Sequence, residues 1–319
     1  MAQVLYVIAR PRSDAAKAYR VAIGRSALPE AIAPGIQPHP EFDLADHGGK
    51  TIPSLSYATF YLGAHGKWAA SDIQSIDAAL AGAMTDSALN EIMGQYFGGT
   101  APTTTVKASQ TVNIAPHHRT DKTAVETIAG KLLAGGHLAG LDLSQTVVNL
   151  MLPPGVVLSD SGGAQKLQGL DEAAADSLHG LGGYHGSTHV GGQVIYYAVG
   201  VYSQQLSNGR ENGIVAFDQP WKNVVATFYH ELNEARTDSD VEDAIRAGND
   251  PSADKLLGWI SPQGYEVGDE PVFEAGGDLS LVFQEVPVGD GTATAPIQLM
   301  WSNRVHGPEG PVPASSTTR

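Results

Sequence analysis

His230 and Glu234 stand four residues apart in the stretch VVATFYHELNEARTDSDVED (224–243), with Glu231 directly after the histidine. In an α-helix, residues i and i+4 lie one turn apart on one face, so the pair can grip one metal ion. The glutamate after the histidine can then act as general base to a water on that ion. The pattern is H-E-x-x-E, a variant of the zinc-peptidase motif H-E-x-x-H in which a carboxylate replaces the second imidazole. Zinc accepts a carboxylate oxygen, although the added negative charge makes a bound water less acidic and hydrolysis slower. At about 100° per residue, Val225, Phe228, Leu232 and Ala235 share an apolar arc, His230, Glu234 and Asp238 share the arc beside it, and Glu231 projects between the two. The alternative is a helix whose acids are simply hydrated. Against it stands the crowding of Glu231, Glu234, Asp238 and Asp240, with Arg236 as the one base in that half of the helix. Like charges three and four residues apart repel unless a cation compensates them.

A second acidic segment, GYEVGDEP (264–271), is bracketed by Gly264 and Gly268 and can turn Glu266 or Asp269 toward such a cation. Its plain reading is an ordinary Gly-Asp turn. The third ligand is open among Glu266, Asp269 and Asp238, with His185 as a further candidate. A histidine among the donors favours zinc, and an oxygen-rich set makes calcium the alternative.

Other constellations carry less. LSDSGGAQ (158–165) has the glycines of a serine-protease nucleophile turn around Ser161, yet no matching histidine segment accompanies it. His117 and His118 are adjacent and point apart, which suits surface histidines. LHGLGGYHGSTHVGG (178–192) sets His179, His185 and His189 among six glycines. It reads as a flexible loop from which His185, before the other two, can serve as a ligand or as a donor to a transition state. Arg304 and His306 near the end read as surface residues, with an acid of the helix as a possible partner for Arg304.

The elements that must position these residues alternate. Residues 2–11 read as a strand, and 24–54, with five prolines, as an extended connector. A strand over 56–64 is followed by helices over 69–84 and 86–99, a strand over 103–116, a helix over 121–136 stopped by Gly135 and Gly136, and a buried strand over 146–160 broken by two prolines. A further buried strand covers 193–203, just before the H-E-x-x-E helix. This order predicts an α/β fold, a mixed sheet with covering helices.

Composition narrows the function. The chain has 319 residues, a formal charge of −15 and no cysteine. Disulfides, thiolate metal sites and cysteine nucleophiles are excluded, so any metal rests on His, Asp or Glu. The charge argues against nucleic acid and anionic membrane as partners. The start, MAQVLYVIARPRSD, lacks the form of a signal peptide, and no apolar run reaches the roughly 18 residues of a membrane span, so the expectation is a soluble chain.

ATFYHELNEARTDSD followed by GWISPQGYEVGD resembles a pattern, H-E-x-x-E-A-x-T-D-P with a later tryptophan and G-E-I-G-D, of bacterial relatives of the Exordium or phosphate-induced-protein family, which are treated as zincin-like metallopeptidases. ATFYLGAHGKWAASDIQSIDAAL resembles the strand and helix that open the same region, and GGYHGS (182–187) its Cys-Gly-Phe-His-Gly motif, with Gly182 in place of the cysteine of plant members. Ser239 replaces a usual proline and Val267 a usual isoleucine, and plant members lack the H-E pair. The matching residues are His230, Glu231, Glu234, Thr237, Asp238, Glu266, Asp269 and His185. The resemblance implies a zincin-like catalytic domain over 55–310, after an N-terminal strand and connector over 1–54 and before a disordered tail over 311–319. It implies zinc on His230, Glu234 and a loop carboxylate, Glu231 as base, His185 or Tyr265 steadying the oxyanion, a peptide or protein substrate and an extracellular location. The rival expectation is a non-catalytic surface or extracellular interaction protein with a structural zinc or calcium.

Overall fold

The computed structural model describes residues 7–10, 13–14, 32–33, 35–64, 66–160, 176–248 and 250–310. Ser161 and the tail from 311 lie outside the described residues. The strands of its seven-stranded mixed sheet are β1 (Val7–Ala9), β2 (Ser54–Leu62), β3 (Thr103–Val106), β4 (Gln110–Val112), β5 (Thr146–Met151), β6 (Leu181–Val190) and β7 (Gln193–Gly200). The order is β1-β6-β7-β5-β2-β3, with β4 also on β2. β1, β6 and β7 pair antiparallel, and the remaining neighbours pair parallel. The α/β reading of the sequence therefore holds at the level of a mixed sheet with helices on it.

Period-2 alternation sends side chains to two cores. Ala58, Phe60 and Leu62 of β2, Val148 and Leu150 of β5, and Tyr197 and Val199 of β7 meet helix α2 (Lys122–Ala134), which Asp121 caps by accepting the Ala124 N–H at 2.8 Å. Tyr57, Tyr61, Val147, Met151 and Ala198 face the other way, toward α1 (Ala70–Thr85) and α3 (Pro220–Thr237). Outside α3 lies a hairpin of β8 (Phe283–Val288) and β9 (Ala293–Gln298), whose Val286, Ala295 and Ile297 join the same core. Helix α3 is thus held between sheet and hairpin, and every residue from Asn223 to Thr237 is buried. The apolar arc expected for the helix is in the core, and so is everything around it.

Three element readings change. The stretch 86–99 forms one α-turn, Ser87–Asn90, and then closes as a 3-10 helix, Glu91–Phe97, where the Asn90 side chain donates to Ala83 O and Asp86 O. The strand expected over 103–116 is two short strands on β2. The glycine-rich stretch read as a loop is largely a strand, β6, whose glycines supply space. A Cβ on Gly183 would stand 2.5 Å from Val199 O and 3.1 Å from Glu231 Oε1, so a side chain there would lift α3 off the sheet. Among the described residues no helix is long and apolar enough to cross a membrane.

Candidate metal centre

Seven ionisable side chains meet where α3, β6 and the loop leading into α4 (Asp269–Glu274) converge. They are His185, His230, Glu231, Glu234, Asp238, Glu266 and Asp269, each at most 1 % exposed. The hydrated acidic face weighed for this helix is therefore overturned.

His230 is held on one edge by Gln298 of β9. Its Nδ1 lies 2.6 Å from Gln298 Oε1, while the Gln298 amide nitrogen donates to Gly268 O at 2.6 Å and to Leu299 O at 3.0 Å. Two carbonyl acceptors fix the amide with its oxygen toward the imidazole, so Nδ1 bears a proton and Nε2 is the nitrogen left to take a metal ion or a second proton. Nε2 faces Glu234 Oε2 at 3.0 Å and Asp269 Oδ1 at 3.8 Å. His230, Glu234 and Asp269 form one trio whose donor atoms are close enough to share an ion. Gly268 seats the loop on the helix: its N–H donates to Glu234 Oε1 at 3.1 Å, and a Cβ there would stand 2.4 Å from His230 Nδ1.

Glu231 sits with His185, whose Nδ1 is 3.5 Å from Glu231 Oε2 and 3.6 Å from Glu234 Oε2. The other imidazole edge, Nε2, faces Asp238 O at 3.2 Å and Glu266 Oε1 at 3.5 Å. Both oxygens of Glu231 and of Glu266 lack a hydrogen-bond partner, as do His185 Nδ1, His230 Nε2, Glu234 Oε2, Asp238 Oδ2 and Asp269 Oδ2. So many orphaned buried polar atoms in one place are costly unless something binds them.

The proton affinities follow from burial and crowding. Burial pushes Glu231 up to about 7 and Asp238 up to about 7. Burial raises Glu266 and Asp269 well above the usual carboxylate range, with Glu234 adding to it. Burial also raises Glu234, but His230 and His185 beside it prevail and hold it at about 2. Burial pulls His185 down and the glutamates Glu231 and Glu234 push it up, to about 10 on balance.

The sequence-predicted residues divide plainly. His230, Glu234, Asp269, Glu231 and His185 come together in the two trios, and Glu266 stands at the far edge of His185. Asp238 is displaced from the helical arc expected for it. Helix α3 ends at Thr237, and Asp238 turns to accept the Gly258 N–H at 2.8 Å, so its carboxylate belongs to neither trio. Asp240 accepts from the Tyr196 hydroxyl at 2.8 Å, and Tyr265 stacks on Phe273 with ring centroids 4.5 Å apart. Arg236 is buried and points to Thr103 O and Thr104 Oγ1, so it compensates none of the acids. His117 and His118 are exposed; His179, His189 and His306 bond Asp176, Asp243 and Asp43, and Arg304 pairs with Glu91. Gln298 is the residue that sequence reasoning missed: it is neutral, distant along the chain and part of no motif.

Comparison of the chain with protein-family models, with curated proteins and with solved structures finds no match in any of the three.

Proposed function

We propose that the chain is a metal-dependent hydrolase acting on peptide bonds, with zinc at His230, Glu234 and Asp269 and with Glu231 as general base. The observation that carries this reading is His230 Nε2, which the Gln298 contact on the other edge aims at two buried carboxylates and which has no hydrogen-bond partner among the described residues. An imidazole with two carboxylates suits zinc, whereas the surplus of oxygen keeps calcium as the alternative cofactor. A zinc ion there would supply Lewis acidity toward a carbonyl oxygen and toward a water.

The rest falls to the chain. Glu231, held near 7 by burial, accepts the proton of the attacking water. As the C–N bond breaks, it passes that proton to the leaving amine. His185 lies against Glu231 and Glu234 and orients them, a different task from the oxyanion donor expected of it. The arrangement of an H-E-x-x-E helix packed on a mixed sheet supports a zincin-like domain, in keeping with the Exordium-related resemblance and its implied extracellular location and peptide or protein substrate. Because the cluster is buried, a substrate reaches it only if one of the elements around it moves.

That burial favours a second reading, in which the ion serves only to tie helix, strand and loop together in a non-catalytic interaction protein. The experiment that separates the two is Glu231→Gln at one equivalent of zinc. The hydrolase reading expects metal retained and peptide hydrolysis down by roughly 10²–10⁴-fold. Full activity in the variant contradicts the base assignment, and no hydrolysis by the wild-type protein on a broad peptide library favours the structural ion.

A further inference from the structure

The arrangement at His230 is repeated at His185. His230 commits Nδ1 to a neutral acceptor and turns Nε2 to two carboxylates. His185 commits Nε2 to the Asp238 carbonyl at 3.2 Å and turns Nδ1, which has no hydrogen-bond partner, to Glu231 Oε2 at 3.5 Å and Glu234 Oε2 at 3.6 Å. Two donor atoms on one ion, each about 2.1 Å from it at a near-tetrahedral angle, stand about 3.4 Å apart. The His185 separations match that spacing.

Glu234 belongs to both trios, and through the same atom. Its Oε1 is occupied by the Gly268 N–H at 3.1 Å, while its Oε2 lies 3.0 Å from His230 Nε2 and 3.6 Å from His185 Nδ1. An oxygen so placed is positioned to bridge two ions. We infer that the cluster is built for two divalent cations bridged by Glu234, the second held by His185, Glu231 and Glu234.

Charge points the same way. Glu231, Glu234, Asp238, Glu266 and Asp269 are five buried carboxylates, and among the described residues no Lys or Arg forms an ion pair with any of them. With no Lys or Arg among the described residues paired to them, divalent cations are the counter-charge that such a buried group can take from outside.

The inference rests on the metal reading of the first trio and adds a consequence to it. Glu231 cannot both ligate the second cation and accept a proton. Hydrolysis that depends on Glu231 therefore peaks near one equivalent of zinc and declines as the second trio fills.

The test is a metal count on metal-free full-length protein dialysed against excess zinc. Two zinc per chain are expected in the wild type, one in Glu231→Gln and one in His185→Gln, and at least a tenfold weaker binding of both ions in Glu234→Gln. Wild type loaded with two equivalents of Mn²⁺ supplies a check that needs no variant: a bridged pair gives an exchange-coupled electron-paramagnetic-resonance spectrum. One zinc per chain in both the wild type and Glu231→Gln, or a spectrum of isolated Mn²⁺ at two equivalents, overturns the second site and leaves the first standing. No zinc in any sample overturns both.

Discussion

Two buried groups of acids flank strand β6, one on each face, and they are neutralised in different ways. On the α2 side, Lys122 is 3 % exposed, with Nζ 3.2 Å from Asp160 Oδ1 and in contact with Glu242, over the ring of Tyr184. Arg246 adds to it by pairing with Glu126 at 2.7 Å, Asp243 at 2.9 Å and Glu242 at 3.7 Å. On the α3 side, five carboxylates and two imidazoles meet, and among the described residues no Lys or Arg pairs with them. Adjacent residues of one strand serve the two groups: Gly186 faces Glu242 and Tyr197, and His185 faces Glu231 and Glu234. Where the chain carries its own cations, the carboxylates are paired with them. Where it does not, they are orphaned and converge, which is the form of a site built for an external cation.

The difference breaks most sharply at Lys122. Lys122→Met should cost about 3–5 kcal/mol of stability, because it strands buried carboxylates, and the loss should be the same with and without zinc in thermal or urea unfolding. On the other face the dependence should be on metal. Zinc at about 1,000 times its dissociation constant should stabilise the wild-type chain by about 4 kcal/mol, and Glu234→Gln should remove most of that gain in the same assay. A zinc effect on the Lys122 variant that differs from wild type, or none on the wild type, erases the distinction.

Gln298→Ala probes the support of His230 without touching a ligand. It should weaken zinc binding about 10–100-fold, measured by competition with a chromophoric chelator, while Gln298→Asn, too short to bridge His230 and Gly268, should rescue little. Unchanged affinity would remove Gln298 from the site.

The smallest expected effect is the pH dependence of the metal-free chain. Burial holds Glu231 and Asp238 near 7, against 4.5 and 3.8 as ordinary values. Both keep protons in the folded state that the unfolded chain has released. Their contribution is complete below about pH 4 and is lost as pH rises through 7. His185, raised from 6.5 to about 10, acts in the same direction but at higher pH, and Glu234, lowered from 4.5 to about 2, acts in the opposite sense and below about pH 4.5. The melting temperature without metal should therefore fall between about pH 4 and pH 7.5, and zinc, which replaces those protons, should flatten the fall. A rising profile without metal would contradict the burial of these acids.

How much of this was legible in the sequence depended on the range of the interaction. His230 and Glu234 are one helical turn apart, so periodicity alone put them together, and the glycines around Asp269 marked a loop able to deliver it. The end of α3 at Thr237, which takes Asp238 out of the ligand arc, depends on a contact with Gly258 that no local pattern encodes. The glycine-rich stretch misled for a related reason: Gly183 answers to α3 lying on the sheet, a tertiary requirement. One local signal was there to be used. Gly191-Gly192 between THV and QVIYY is a two-residue hairpin turn, and it predicts the β6–β7 pair that the structure contains. Gln298 had no signal at all, since only the fold brings a neutral amide 68 residues along the chain to His230.

The most direct test is an anomalous difference map at the zinc edge from crystals of the zinc-loaded chain. The account expects a peak about 2.0–2.2 Å from His230 Nε2, Glu234 Oε2 and a carboxylate oxygen of Asp269. A well-ordered cluster with no peak there, its imidazoles held to the carboxylates by protons alone, would contradict it.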